Sequence, residues 1–410
     1  MEPFMTSQST ERLHALDAVR GGALLLGVVL HATMSFFPDP IWITADNDPS
    51  EAMTITFIVI HIFRMSLFFM IAGFFARMSF HRRGLKAFAA DRAKRIALPF
   101  AVAWPFLLIA FIALAIWGAV HANGGEIPQE APPQPPLTLR TFPLFHTWFL
   151  YMLLWLYAGA LILRGAVAAI DQRGRLRAGG DRVVGMLVRS HLAPIVLGAP
   201  LAAVFFFRDS WVNWLGVHTP DYGLVPNLQA FVAFGTAFGF GWVLHRRIDL
   251  LNVWRRWWPL HLGLAIGLTI VCLAVLEFRL NATDPATDVQ RLISAAAYPL
   301  AIWTWTFGLV GLAMQFLSGH SPMRRYVADA SYWIYLVHLP LVMAAQIAVS
   351  QMALPWFVKF PAILAVVTAI ALITYHLFVR FSFIGAVLNG RRFPKPGRAE
   401  PPTAAKTAAT

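Results

Sequence analysis

Apolar runs of membrane-spanning length recur along almost the whole chain and leave it few other ways to fold. About 20 residues are needed to cross a bilayer, and ten segments come close to or exceed that: 16–37, 53–76, 96–118, 143–163, 191–207, 226–244, 257–277, 293–317, 331–350 and 360–384. Hydrophobic residues make up 58% of the 410 and charged residues only 13%, about half the charged share of a typical soluble domain. The expected fold is therefore an all-α integral membrane protein, with about ten transmembrane helices in one bundle spanning residues 1–388. The remainder, 389–410, reads as a disordered cytoplasmic tail because it is polar and Pro-rich. The first apolar stretch lacks a cleavage pattern and reads as a retained anchor.

The net charge of +13 would suit a nucleic-acid binder, but its distribution argues otherwise. Segment 77–95 carries seven Lys/Arg and segment 164–189 carries six. With the other alternate loops and both ends, 26 of the 33 basic residues fall on one side of the predicted membrane. That is the positive-inside pattern; it places both termini in the cytoplasm and accounts for the charge with no nucleic acid. The lone cysteine, Cys272, lies in an apolar run, so no intramolecular disulfide is expected. The Pro-rich stretch at 127–139 faces outward and reads as a stiff connector. No His-x-x-x-His pair occurs, and no metal is expected.

Ionisable groups inside spans are costly and usually functional. The first span, "LDAVRGGALLLGVVLHA", carries Asp17, Arg20 and His31. Eleven residues of helix turn through three revolutions plus about 20°, so Arg20 and His31 share a face about 16 Å apart. Leu24 and Gly27 lie between them, and Gly27 leaves a slot. Asp17, one turn before Arg20, can pair with it. An end-of-helix ion pair is one reading of Asp17 and Arg20; an anion grip at the cytoplasmic end is the other. His31, beyond mid-membrane, reads as a catalytic base or as a hydrogen-bonded packing residue. Two groups at opposite depths on one face suit a long ligand threaded along the helix.

These residues resemble the first-helix signature of the acyltransferase-3 membrane family, with its Arg-x10-His spacing. "DRAKRIALP" at 91–99, "FHTWFLYMLLWLY" at 145–157 and "SYWIYLVHLPLV" at 331–342 are similar to further blocks of that family. "HIFRMSLFFMIAGFFARM" at 61–78 is similar to the branch assigned to succinylation of osmoregulated periplasmic glucans. The resemblance implies transfer of an acyl group from cytoplasmic acyl-CoA to a carbohydrate on the far side, with no bound cofactor. It assigns His31 as base and Arg92 and Arg95 to the CoA phosphates. It places Arg20 in the same conduit, oriented by Asp17.

The remaining polar groups carry two readings each. Arg92 and Arg95 are a two-pronged phosphate clamp or simply topology signals. His61 and Arg64 share a face of the second span; Arg64 suits an acyl carboxylate such as succinyl, or a structural pair. His146 and Trp148 fit a sugar or the aromatic belt. Tyr335 and His338 fit the pantetheine arm or interhelical bonding. "GTAFGFG" at 235–241 reads as close helix packing.

The expected activity is that of a multi-pass O-acyltransferase of the bacterial inner membrane, moving a succinyl group onto periplasmic glucan and in contact with the glucan-synthesis machinery. Two alternatives stand beside it. One is an acetyltransferase acting from acetyl-CoA on lipopolysaccharide or peptidoglycan. The other is a saccharide exporter, against which no two-fold repeat of broken helices is visible.

Overall fold

The computed structural model describes residues 7–127, 136–208, 216–278, 287–390 and 392–394, and these are helical with no strand among them. Most of the expected tail, and residues 128–135 of the Pro-rich connector, lie outside the described residues. Helix α1 (Ser7–Thr33) leads through a 3-10 turn, Met34–Phe36, into an outer loop, 37–50. Helix α2 (Glu51–Arg92) runs for 42 residues, well beyond its apolar part. Segment 77–92, expected as a connecting loop, is helical because Arg, Lys, Ala and Leu are good helix formers. Its one interruption is Gly84, at φ 74°. A π-helical turn, Ala93–Ala97, joins α2 directly to α3 (Leu98–Ala122).

Helix α4 (Trp148–Ile170) follows a 3-10 turn, Phe145–Thr147. The fifth span is less simple than the sequence suggests. Helix α5 (Arg175–Arg189) and α6 (Ala193–Phe207) meet at 102°, with His191 at the bend in the left-handed region, φ 61°. At 15 residues, α6 extends about 22 Å, short of the roughly 30 Å hydrocarbon core. The chain continues through α7 (Leu228–Leu244), α8 (Leu251–Val275), α9 (Asp288–Phe316), α10 (Pro322–Val349), α11 (Trp356–Thr374) and the short α12 (Phe383–Leu388).

Seven helical stretches among the described residues are long and apolar enough to cross a membrane, or eight if the bent α5–α6 pair counts as one span. The protein is thus a multi-pass membrane protein. Two of the seven, Glu51–Ala122 and Leu228–Val275, have 72 and 48 residues, each more than one crossing requires. On α3 the residues Phe106, Ile109, Ile112 and Ile116 are all more than half exposed. They recur at helical spacing and present an apolar stripe suited to lipid.

Helix α1 packs mainly on α10 and α2, α2 on α7, and α9 on α8 and α6. The α2–α7 contact depends on two missing side chains. A Cβ on Gly241 would strike the Met70 carbonyl, and one on Gly73 would strike the carbonyl of Phe238. Gly241 belongs to the "GTAFGFG" run, whereas Gly239 of the same run faces open space. Small residues at this crossing let the two backbones touch. Gly241→Leu is expected to force them apart and to destabilise the bundle by about 1–3 kcal/mol or more, whereas Gly239→Leu should be tolerated. Thermal unfolding of the two variants in detergent compares them directly.

Candidate functional site

The C-terminal half of α1 borders a small cavity that is open on one side. Ala23, Leu24, Gly27 and His31 form its α1 wall, so these residues lie along one side of the helix. Arg64, Met65 and Phe68 face it from α2, and Tyr335 and His338 from α10. His146, Trp148 and Phe149 close it from the turn that begins α4. Gly27 matters because a Cβ there would collide with Arg64 Nη1. Glycine leaves room for the guanidinium to reach the α1 face. Arg20 lies a turn below this wall and is not part of it; it pairs with Asp17 at 3.1 Å and sits over the Phe75 ring.

Three imidazoles meet in the cavity. The ring centroids of His31 and His338 are 5.4 Å apart, and those of His338 and His146 are 5.3 Å apart. His338 Nδ1 lies 2.7 Å from the Tyr335 carbonyl oxygen. Since a carbonyl only accepts, Nδ1 carries the hydrogen and Nε2 the lone pair. By the same logic His146 donates from Nε2 to the Leu336 carbonyl at 3.2 Å. The Tyr335 hydroxyl donates to the His146 carbonyl at 2.7 Å. His31 Nδ1, His146 Nδ1, His338 Nε2 and Arg64 Nε are buried without a hydrogen-bond partner. Such groups are costly unless something polar reaches them.

The His146 turn is held from outside. Leu144 N–H donates to the Asp221 carbonyl at 2.7 Å, and Gly223 N–H donates to Phe142 O at 2.9 Å. Phe145, next to His146, adopts a left-handed φ of 49°, a strained conformation for a bulky residue. The Asp221 carboxyl, in this outer loop, is pushed up to about 6 by burial.

A second support was not legible in the sequence. Gln346 Nε2 donates to the His31 carbonyl at 2.9 Å and to that of Ala32 at 3.2 Å. Its Oε1 accepts from Trp42 Nε1 at 2.9 Å, and the Trp42 indole stacks on the His31 ring with centroids 6.2 Å apart. The loop bearing Trp42 is pinned by Lys359, which is fully buried. Lys359 Nζ donates to Asp46 Oδ1 at 2.8 Å and to Asn47 Oδ1 at 2.6 Å. Trp356 N–H donates to Asp48 Oδ2 at 2.6 Å. A lone Gln inside an apolar run was the available signal for the first of these supports.

The other predicted residues are placed as follows. His61 Nδ1 lies 3.3 Å from the Tyr298 hydroxyl, its ring stacks on Phe57, and it does not line the cavity. Trp148 is buried and stacked on Phe234, so it is not belt material. At the junction of α2 and α3, Arg92 ion-pairs with Asp91 and donates to the Tyr157 hydroxyl at 3.4 Å. Arg95 donates to the Leu388 carbonyl at 3.1 Å and lies 4.0 Å from Asp91. Arg83 also reaches Asp91, at 2.7 Å, so three guanidiniums share one carboxylate. Among the described residues no group of three or more His, Cys, Asp or Glu could hold a metal ion.

A cavity joining imidazoles to a cation in a multi-helix bundle admits several chemistries, and similarity to known proteins decides the class. The model of the acyltransferase-3 family, described as an acyltransferase domain, matches residues 13–376. The chain belongs to the acyltransferase-3 family. Membership makes it an O-acyltransferase of the membrane, not an exporter. Similar curated proteins include "Glucans biosynthesis protein C" of Salmonella paratyphi B (strain ATCC BAA-1250 / SPB7) and of Salmonella enteritidis PT4 (strain P125109). Each is 26% identical over 349 residues, covering 83% of this chain and 84% of the relative. No solved structure matches the chain.

Two consequences of these supports can be measured. Lys359→Met strands Asp46 as a buried, uncompensated charge and should cost about 3–5 kcal/mol. The double variant with Asp46→Leu should recover most of that loss, which a double-mutant unfolding series in detergent reads directly. Asp221 is protonated more readily folded than unfolded, so it favours the fold at low pH and loses that contribution as pH rises through about 6. Asp221→Asn should therefore raise Tm relative to wild type at pH 8, with the difference shrinking toward pH 4.

Proposed function

We propose that this enzyme moves an acyl group, succinyl by preference, from cytoplasmic acyl-CoA to a hydroxyl of periplasmic glucan. Membership of the acyltransferase-3 family supplies the reaction class, and the name of the relatives points to glucan. The observation that carries the mechanism is the meeting of His31 and Arg64 in one cavity at the Gly27 slot. His31 takes the proton from the hydroxyl, whose oxygen attacks the thioester. General-base assistance of this kind contributes about 10²–10⁴-fold. Arg64 has no carboxylate partner among the described residues. A donor ending in a free carboxylate would supply one, which supports succinyl over acetyl.

The same reading assigns Arg92 and Arg95 to the CoA phosphates. Three arginines around Asp91 leave a positive excess there. Arg20, with Asp17, continues the path from that mouth toward Ala23. Counting each over-long helical stretch as two crossings and the bent α5–α6 pair as one yields ten. An even number puts both termini on one side, and the Lys/Arg excess makes that side the cytoplasm of an inner-membrane protein.

The test uses purified protein in proteoliposomes with labelled succinyl-CoA and neutral glucan. Wild type should yield anionic, labelled glucan, and His31→Ala should insert normally but transfer nothing. Arg64→Leu should lower succinyl transfer about tenfold or more while sparing acetyl transfer. Labelled glucan from His31→Ala at the wild-type rate would end the assignment of the base.

A further inference from the structure

We propose that His338 is a second catalytic residue, which carries the proton taken up by His31 to the sulfur of the departing CoA. This rests on the acyl-transfer reading above and adds a step to it. The His338 ring has a fixed tautomer, because Nδ1 is committed to the Tyr335 carbonyl at 2.7 Å. Tyr335 is held in turn by its hydroxyl bond to the His146 carbonyl. The lone pair of His338 is therefore on Nε2, which is buried and lacks a hydrogen-bond partner.

The direction of Nε2 decides what it can do. A Cβ on Gly27 would lie 3.7 Å from His338 Nε2, so that nitrogen faces the α1 slot. Gly27 is one turn on the cytoplasmic side of His31, about 6 Å along the helix. A thioester entering from the cytoplasm brings its carbonyl carbon to His31 while its sulfur trails on the CoA side, and a succinyl chain folds back so that its free carboxylate meets Arg64. The sulfur then lies at the level of Gly27, within reach of His338 Nε2. Titratable or charged groups face His338 from every wall: His31 on α1, Arg64 on α2, His146 on the turn before α4, and Tyr335 on its own helix.

The step balances without an added reagent. The acceptor O–H bond breaks and its proton goes to His31. The oxygen–carbon bond forms, and the carbon–sulfur bond breaks with its electron pair on sulfur. His338 Nε2 takes the proton from His31, whose ring centroid is 5.4 Å away, and gives it to sulfur. Both imidazoles end neutral, and the products are the ester and a free thiol. A pantetheine contact alone would require no unpaired ring nitrogen at this position.

The experiment measures transfer from succinyl-CoA to neutral glucan in proteoliposomes for wild type, His338→Gln and His338→Ala. Both variants should lose about 100-fold or more in kcat, with KM for succinyl-CoA held within about twofold. Gln keeps an amide able to bond the Tyr335 carbonyl, so its unfolding temperature should stay near wild type, separating catalysis from packing. Added imidazoles of similar size and increasing basicity should restore kcat of His338→Ala in order of basicity, a pattern that cavity filling cannot produce. Unchanged kcat, a loss confined to KM, or rescue that is absent or indifferent to basicity overturns the relay. Wild-type protein that transfers nothing refutes the acyl-transfer reading and the relay with it, whereas active wild type beside an indifferent His338 refutes the relay alone.

Discussion

A guanidinium inside a helical bundle has to be compensated, and the region around Arg64 is shaped by how this chain leaves that requirement open. The effective penalty for burying an ion runs to several kcal/mol. Lys359, a fully buried cation where Arg64 is half-buried, is answered in full: Asp46, Asn47 and the Ser350 carbonyl all accept from its ammonium. Arg64 receives no carboxylate among the described residues, and its Nε has no hydrogen-bond partner. Gly27 opposite it removes the one side chain that would have filled the space. The same chain thus treats two buried cations in opposite ways. One closes a loop permanently, and the other keeps α1, α2 and α10 from closing around a void. The contrast separates a charge compensated within the fold from one that is not.

His31 is oriented without any hydrogen bond to its Nδ1. Its backbone is gripped by Gln346, and its ring lies against Trp42, which Gln346 also holds. The Lys359–Asp46 pair anchors the loop from which Trp42 projects. An imidazole fixed by stacking and by its own backbone keeps its Nδ1 free of a protein partner. It also makes the outer loop part of the site, because movement of residues 37–50 moves one wall of the imidazole.

Much of this was legible in the sequence because membrane solvent imposes simple rules. Runs of apolar residues located the spans, and the helical repeat of Arg20, Gly27 and His31 predicted a common face, along which Gly27 and His31 line the cavity. The rule of one apolar run per rod broke down where helix propensity outlasts hydrophobicity. Nothing in 77–92 stops a helix except Gly84, so α2 continues past the bilayer and passes into α3 through a π turn that carries Arg95. At α5–α6 the converse holds, since the apolar segment is too short and bends away. Of the two readings of Trp148, its burial against Phe234 and its place in the cavity wall favour the one inside the bundle, which depth along a helix could not decide. Gln346 and Trp42 were missed for another reason: their partners are more than 300 positions apart, and no local pattern encodes such a pairing.

The two ends of the α1–α10 contact are tied by different chemistry, and this bears on how a long donor could be accommodated. On the outer side Gln346 of α10 bonds the carbonyls of His31 and Ala32. On the cytoplasmic side Asp17 of α1 is shared between Arg20, at 3.1 Å, and Arg325 of α10, at 3.7 Å. The outer tie is buried and neutral, whereas the inner one is part-exposed and ionic, hence weaker and screened by salt. A polyanion arriving at the inner end competes with Asp17 and Asp91 for the same arginines. The tie that can yield therefore lies at the Asp17 end of the α1–α10 contact, and the tie that holds His31 in place lies at the other. Between them the cavity wall ends at Ala23, one turn from Arg20. Only a short stretch of α1 separates the ionic tie from the three imidazoles.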